Sequence, residues 1–419
     1  MHHFTLIFLS FLIASILVRL WLSQRQINHI QCHKNQVPSA FADKIKLADH
    51  QKAAGYSCTK LRVGRVNLAW ESLWLLFWTL GGGLNAINLW WADYNLSPLL
   101  NGISVIATLG ILIAVLEMPF SIYNTFIVEE RYGFNQTTLK TWLMDLVKTS
   151  LLMLILGIPL IAAILWIMNQ AGQYWWLYAW IVWITFSLLM IWAWPAFIAP
   201  LFNRFSPLED PSLKSRIDKL LQRCGFRSQG VFVIDGSKRS AHGNAYFTGF
   251  GKNKRIVFYD TLLNTLSEDE VEAVLAHELG HFKRHHIKKT LLLSIVTTLI
   301  GFALLAWLMQ SAWFYSSLGV ETVSTHNALL LFLLVMPVFT YFISPLYSAL
   351  SRKHEFEADE FAKSNSDYRA LISALVNLYR DNATTLTPDP IHSMFYDSHP
   401  PASIRINHLN SVTQSPPHG

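Results

Sequence analysis

The sequence predicts a mainly α, polytopic membrane protein with seven transmembrane helices and a polar α/β domain gathered on one side of the bilayer. Three observations predict it. Hydrophobic residues make up 52% of the 419 and charged residues only 14%, with a mean hydropathy of +0.30, a balance that excludes an ordinary soluble domain of this length. Apolar runs of the ~20 residues that a bilayer requires recur seven times along the chain. Basic residues crowd some connections between those runs and are missing from others.

The first run, 4–23, has no Lys or Arg before it and no small-residue cleavage site after it, so it reads as a retained span rather than a secretory signal. Runs 69–91, 99–121, 149–168 and 174–199 complete a membrane unit over 1–199. Pro119, Pro159, Pro195, Pro337 and Pro345 lie inside apolar runs, which membrane helices tolerate when neighbouring groups re-satisfy the freed carbonyls. A polar piece, 200–289, precedes spans at 290–312 and 328–348 within 290–348, and a second polar piece fills 349–419. Trp175, Trp176, Trp180, Trp183, Trp192 and Trp194 in one span read as interface anchors and packing residues. Glu71 and Glu117, in or near the second and third spans, read either as lining water or as lying at span ends.

Orientation follows from the connections. The stretch 24–68 carries Arg25, Lys34, Lys44, Lys46, Lys52, Lys60, Arg62 and Arg65, whereas 92–98, 169–173 and 313–327 hold no Lys or Arg. The N-terminus is therefore expected outside, with both polar pieces and the C-terminus cytoplasmic. The net charge of +6 lies on that side and suits anionic lipid headgroups; no nucleic-acid motif accompanies it. Cys32, Cys58 and Cys224 are isolated, which suggests neither a disulfide framework nor a thiolate metal site. The tail "TQSPPHG" is polar and of low complexity.

Chemistry must be sought in the polar pieces, and "LAHELGHFKRHH" (275–286) marks the place. His277-Glu278-Leu279-Gly280-His281 is an H-E-x-x-H pattern, which chance would produce in such a chain on the order of 0.01 times. Ser267 followed by Glu270 forms a capping-box start, and "VEAVLAHELGHF" continues a helix. On that helix residues i and i+4 share a face, so His277 and His281 can reach one zinc ion at about 2 Å. Glu278 is left as a base. His285 and His286 read as solvated residues at the helix end.

A third protein ligand and an open position for water are needed for catalysis. Arg284 and Ile287 occupy the places where an extended H-E-x-x-H-x-x-G-x-x-H motif would put its glycine and third histidine. The ligand is therefore sought downstream, in "SRKHEFEADEFA". Spacing there slightly favours Glu355 over Glu357 and suits Asp359 to accepting the far N–H of a ligating histidine.

Four blocks in order, "GNAYFTGFGKNKRIVFYDTLL" (243–263), "VLAHELGHFKRHH" (274–286), "SRKHEFEADEFAK" (351–363) and "SMFYDSHPPASIR" (393–405), resemble the type I CAAX prenyl endopeptidases, integral-membrane zinc proteases that process isoprenylated proteins. The resemblance implies His277, His281 and Glu355 as ligands to one Zn2+ per chain, against Glu357, and Glu278 as general base. It implies Asn244 and Ala245 alongside the substrate on an extended edge, His399 as an oxyanion donor, and Arg405 as nearby support. It also implies a ring of seven helices around a water-filled chamber onto which the protease site opens.

Only "NTLSEDE" separates "VFYDTLL" from the metal helix, where animal relatives carry a long insertion, and His354 stands where an aromatic residue is usual. This compact form suggests a bacterial inner membrane, or the endoplasmic reticulum if the host is eukaryotic. The implied partners are a peptide or prenylated protein substrate and the bilayer, met by a monomer. Competing readings are a heat-shock-type membrane quality-control protease and, from another class, a transporter or channel with a structural zinc. A structural zinc is normally closed by four protein ligands and would leave Glu278 without a purpose.

Overall fold

A computed structural model describes residues 2–226, 228–248 and 255–411. Part of the first resemblance block, 249–254, and the polar tail lie outside the described residues. The chain is mostly helical. Among the described residues six helices are long and apolar enough to cross a membrane: His3–His33, Pro98–Glu129, Leu139–Gln170, Gly172–Phe202, His286–Met309 and Thr325–Asn365. At about 1.5 Å per residue, all six exceed the ~30 Å hydrocarbon core.

The expected span at 69–91 is not one helix. Helix Leu47–Trp78 stops at Thr79, and the chain resumes as Gly83–Ala92. The cause is the Gly81-Gly82-Gly83 run: Gly82 adopts a left-handed φ of 78°, and a Cβ on Gly83 would lie 2.7 Å from the rings of Phe77 and Trp78. Trp78, Leu84 and Ile87 nonetheless share the membrane core with Val105, Leu165 and Leu331, so the segment meets that core in two pieces. Elsewhere wide turns absorb two of the prolines, Met153–Gly157 before Pro159 and Trp194–Ile198 around Pro195, while Pro119 and Pro337 lie inside α-helix. In the tryptophan-rich helix, Trp175 is buried in the core, Trp180 Nε1 donates to the Ile295 carbonyl at 3.2 Å, and Trp192 and Trp194 are exposed.

The polar pieces fold into one body. Four short strands, β1 (Phe205–Pro207), β2 (Val231–Ile234), β3 (Ala245–Thr248) and β4 (Arg255–Tyr259), form a sheet in the order β1-β2-β4-β3. β2 and β4 are parallel, and β3 lies antiparallel to β4 at the sheet edge. Ile256 and Phe258 point into a core shared with Ile217 of helix Pro211–Arg223, Leu275 and Leu279 of helix Glu268–Lys283, and Leu371 of helix Tyr368–Asp381. Residues before and after the last two spans thus build a single hydrophobic core beside the membrane helices. The three cysteines are free.

Candidate metal centre and catalytic cleft

Two helices, each joined to a span, carry the titratable cluster. Ser267 caps the first, Glu268–Lys283, by accepting from the Glu270 N–H at 3.4 Å, while the Glu270 carboxylate accepts from the Ser267 N–H at 2.9 Å. Glu270 also accepts from Ser373 and, at 2.8 Å, from Asn377, which fixes the helix against Tyr368–Asp381. After Arg284 the chain turns through His285, at φ 59°, into span His286–Met309. The second helix, Ser344–Asn365, continues the last apolar helix through a tight turn at Tyr341–Ile343.

The two helices touch at Gly280, where a Cβ would meet the Ala358 Cα at 2.9 Å and its carbonyl oxygen at 3.0 Å. Backbone cannot yield there as a flexible side chain would. Gly280→Ala, which in an exposed helix should be favourable by about 1 kcal/mol, is therefore expected to destabilise by about 1–3 kcal/mol through overpacking and to lower metal retention. Thermal denaturation and metal analysis check this; an unchanged melting temperature and metal content would mean the contact is slack.

Across this contact the Nε2 atoms of His277 and His281 lie 3.2 Å apart, and the Glu355 oxygens approach them at 3.4 Å and 3.2 Å. These ligand atoms all fall within 4.8 Å of one another. A tetrahedral ion with bonds of about 2 Å has ligand-to-ligand edges of about 3.3 Å; the separations are of that size, taken to Oε2 from His277 and to Oε1 from His281, so the cluster can hold one such ion. Glu355 is 3% exposed, and its Oε2 accepts no hydrogen bond among the described residues, as suits an atom reserved for a metal.

Behind the triangle the far ring nitrogens are engaged. His277 Nδ1 lies 2.8 Å from Asp359 Oδ1, and Asp359, fully buried, accepts two bonds from the Arg405 guanidinium at 2.8 Å and 2.6 Å. Arg405 also stands 3.4 Å from Glu355. Burial and the Arg405 charge push the His277 imidazole down, but the Asp359 and Glu355 carboxylates beside it outweigh them and hold it up at about 9.

The reading of His286 as solvated is corrected: its ring is 4% exposed, lies 3.0 Å from His281 Nδ1, meets Glu357 at 2.9 Å and stacks on His354 at 4.1 Å. His285 is exposed, as read. Glu357 faces away from the triangle and touches it only through His286.

Two cavities meet at the triangle, and Glu278, half-buried, lines both. One, about 480 Å³, is bounded by Asn244, Ala245, His277, His399 and Arg405. The other, about 540 Å³, lies on the apolar side against Ile191, Phe247, Phe282, Ile287 and Leu291. Ala245 opens the edge strand β3 and Asn244 precedes it, its side-chain oxygen accepting from the Ala245 N–H at 2.8 Å; both residues line the cavity. His399 is exposed, with Nε2 3.4 Å from Glu355.

Sequence reasoning missed Tyr379, whose hydroxyl accepts from the Ala402 N–H at 3.1 Å, and Asn382, which accepts from the Gly243 N–H at 3.1 Å; both line the first cavity. Neither lies in a motif. Only a helical register for 368–381 points Tyr379 inward.

An H-E-x-x-H helix and a carboxylate helix, both rooted in membrane spans, define a membrane-embedded metallopeptidase. Family models agree in two consecutive parts: "CAAX prenyl protease N-terminal, five membrane helices" matches 26–204 and "Peptidase family M48" matches 207–413. The chain is 38% identical to the CAAX prenyl protease 1 homolog of Arabidopsis thaliana over 71% of this chain and 70% of that one. It is 32% identical to CAAX prenyl protease 1 of Saccharomyces cerevisiae over 98% and 96%. The crystal structure of S. mikatae Ste24p superposes with a TM-score of 0.92 at 30% identity, covering 98% of this chain and all of that one. The chain belongs to the type I CAAX prenyl protease family of M48 metallopeptidases. That membership sets the transporter reading aside.

Proposed function

We propose that the chain is a zinc endopeptidase acting on prenylated or membrane-associated peptides, with His277, His281 and Glu355 holding one Zn2+ and Glu278 as general base. The observation that carries it is the His277 and His281 Nε2 pair 3.2 Å apart with the two Glu355 oxygens 3.4 Å and 3.2 Å from them, beside a carboxylate that lines both cavities. Zinc, when bound, supplies Lewis acidity that polarises the scissile carbonyl and brings the pKa of water toward about 7.

The chain's own groups do the rest. Glu278 takes a proton from the attacking water as its oxygen bonds to the carbonyl carbon, then passes that proton to the amine as the C–N bond breaks. His399 and the Asn244 amide donate to the oxygen that gathers charge, contacts worth about 100-fold or more each. The peptide backbone pairs with the outer edge of β3. Asp359, held by Arg405, fixes the ring of His277.

The prenylated substrate class is supported by the names of the relatives and by the apolar second cavity, which offers room for a lipid-like side chain beside Glu278. The ligand set is complete without a second copy, and the proposed working unit is the monomer. The basic stretch 24–68 supports a cytoplasmic protease domain, in the inner membrane of a bacterium or the endoplasmic reticulum of a eukaryote.

Cleavage of a farnesylated and a plain peptide of one sequence by the detergent-purified protein, with and without chelator, tests this. Faster cleavage of the farnesylated peptide, stopped by chelator, is expected. Equal rates would transfer the reading to a quality-control peptidase of the heat-shock type, and chelator-resistant cleavage would contradict the metal.

A pH dependence follows from His277. Its imidazole, held up at about 9, carries a proton below that pH that the metal must displace. Apparent zinc affinity is expected to rise about tenfold per pH unit from near neutrality and to level off above about 9. Competition with a chelator across that range reads the slope; a flat line would mean that no proton leaves.

A further inference from the structure

We propose that the chain carries a second binding site, for the phosphate group of an anionic lipid, between its first two helices at the membrane boundary on the protease-domain side. Arg19 from helix His3–His33, Lys60, Arg65 and Glu71 from helix Leu47–Trp78, and His392 and Tyr396 from helix Pro390–Tyr396 line a cavity of about 360 Å³ whose lining includes none of the metal-ligand candidates.

Three cations face one carboxylate there, and the carboxylate is occupied: Glu71 accepts from the Asn67 amide at 2.6 Å. Among the described residues none of the three cations forms an ion pair. Arg65 donates from Nε to Ser23 at 2.8 Å and from one terminal nitrogen to Gln24 at 2.9 Å, while its other terminal nitrogen is buried with no partner. Arg19 lies with its guanidinium 4.4 Å above the Tyr341 ring, and its Nε is buried and unpartnered. His392 Nδ1 is a third buried nitrogen without a partner. Lys60 donates a 3.3 Å bond to the Tyr56 hydroxyl and lies 4.9 Å over that ring, with no carboxylate paired to it among the described residues. Buried guanidinium N–H groups left unpaired cost free energy that an anion in the cavity would recover.

Depth selects the source of that anion. Arg19 falls four residues before the end of the apolar run 4–23, and the Ser23–Arg65 bond sets the start of the second apolar run, at 69, near the same level. The cavity therefore opens at the boundary between hydrocarbon and headgroups. Next in sequence to the lining residues Arg19 and Arg65, Leu20, Trp21 and Val66 expose 37%, 50% and 63% of their surface, apolar area against which acyl chains can lie. Tyr396 lines this cavity and the catalytic one alike, and its hydroxyl meets that of Tyr341 at 3.0 Å. A headgroup here would rest against the turn that leads to His399.

The test is native mass spectrometry of the full-length protein with short-chain phosphatidic acid, phosphatidylcholine of the same chains, and inorganic phosphate as competitor. The wild type is expected to retain phosphatidic acid over phosphatidylcholine. Arg19→Gln, Arg65→Gln and the more exposed Lys60→Gln should each weaken it about fivefold, with partial recovery in Arg19→Lys and Arg65→Lys. Lys214→Gln, on the distant exposed helix, should change nothing, and metal content reports that each variant is folded. Displacement by inorganic phosphate would support the anion site while assigning it to a free ion; resistance to it assigns the lipid. Equal retention of both lipids, or wild-type retention of phosphatidic acid by the Arg19→Gln, Arg65→Gln double variant, would overturn the proposal.

Discussion

Glu278→Gln is expected to keep its metal and to lose about 10²- to 10⁴-fold in turnover, the usual worth of a positioned general base. The amide matches the carboxylate in shape, so the helix, its cap and the neighbouring imidazoles should be undisturbed. What it removes is the one proton acceptor that, among the described residues, lines both cavities at the triangle. Metal analysis and single-turnover cleavage separate the two readouts. Turnover at the wild-type rate would take the base role from Glu278, and loss of metal along with turnover would mean that the residue supports the ligands instead.

Arg405→Ala should have the largest effect on folding. Arg405 is 5% exposed and Asp359 is fully buried, joined by two hydrogen bonds of 2.6 and 2.8 Å. Removing one partner of such a pair strands the other charge and costs about 3–5 kcal/mol, a large part of the stability of an ordinary domain. The His277 ring would lose its anchor in the same stroke, so metal retention should fall with the melting temperature. Replacing both residues by apolar ones, Arg405→Met with Asp359→Leu, should recover much of the stability without the metal retention. A single variant that melts at the wild-type temperature would show the pair to be incidental.

The parts legible in the sequence were those governed by period and spacing. Apolar runs marked the membrane helices, and the Ser267–Glu270 cap with the i, i+4 histidines marked the helix on which His277 and His281 share a face. Hydropathy predicts a continuous second span because it averages over Gly81, Gly82 and Gly83, whereas backbone conformation does not. Spacing alone barely separated Glu355 from Glu357. The difference comes from the crossing of two helices at Gly280, which turns Glu355 toward His277 and Glu357 toward His286. His286 was misread for the same reason, since its burial is made by a helix about 70 residues away in sequence. Tyr379, Asn382 and the basic cavity between the first two helices arise from tertiary contacts that no local pattern announces.

Metal content and X-ray absorption of the purified wild type and of Glu355→Ala bear most directly on the three-ligand centre. One zinc per chain, bound by two imidazole nitrogens and a carboxylate oxygen in the wild type and largely lost from the variant, is the expected result. Zinc held at full occupancy with unchanged coordination in Glu355→Ala, or a metal-free wild type that still cleaves peptide, would contradict it.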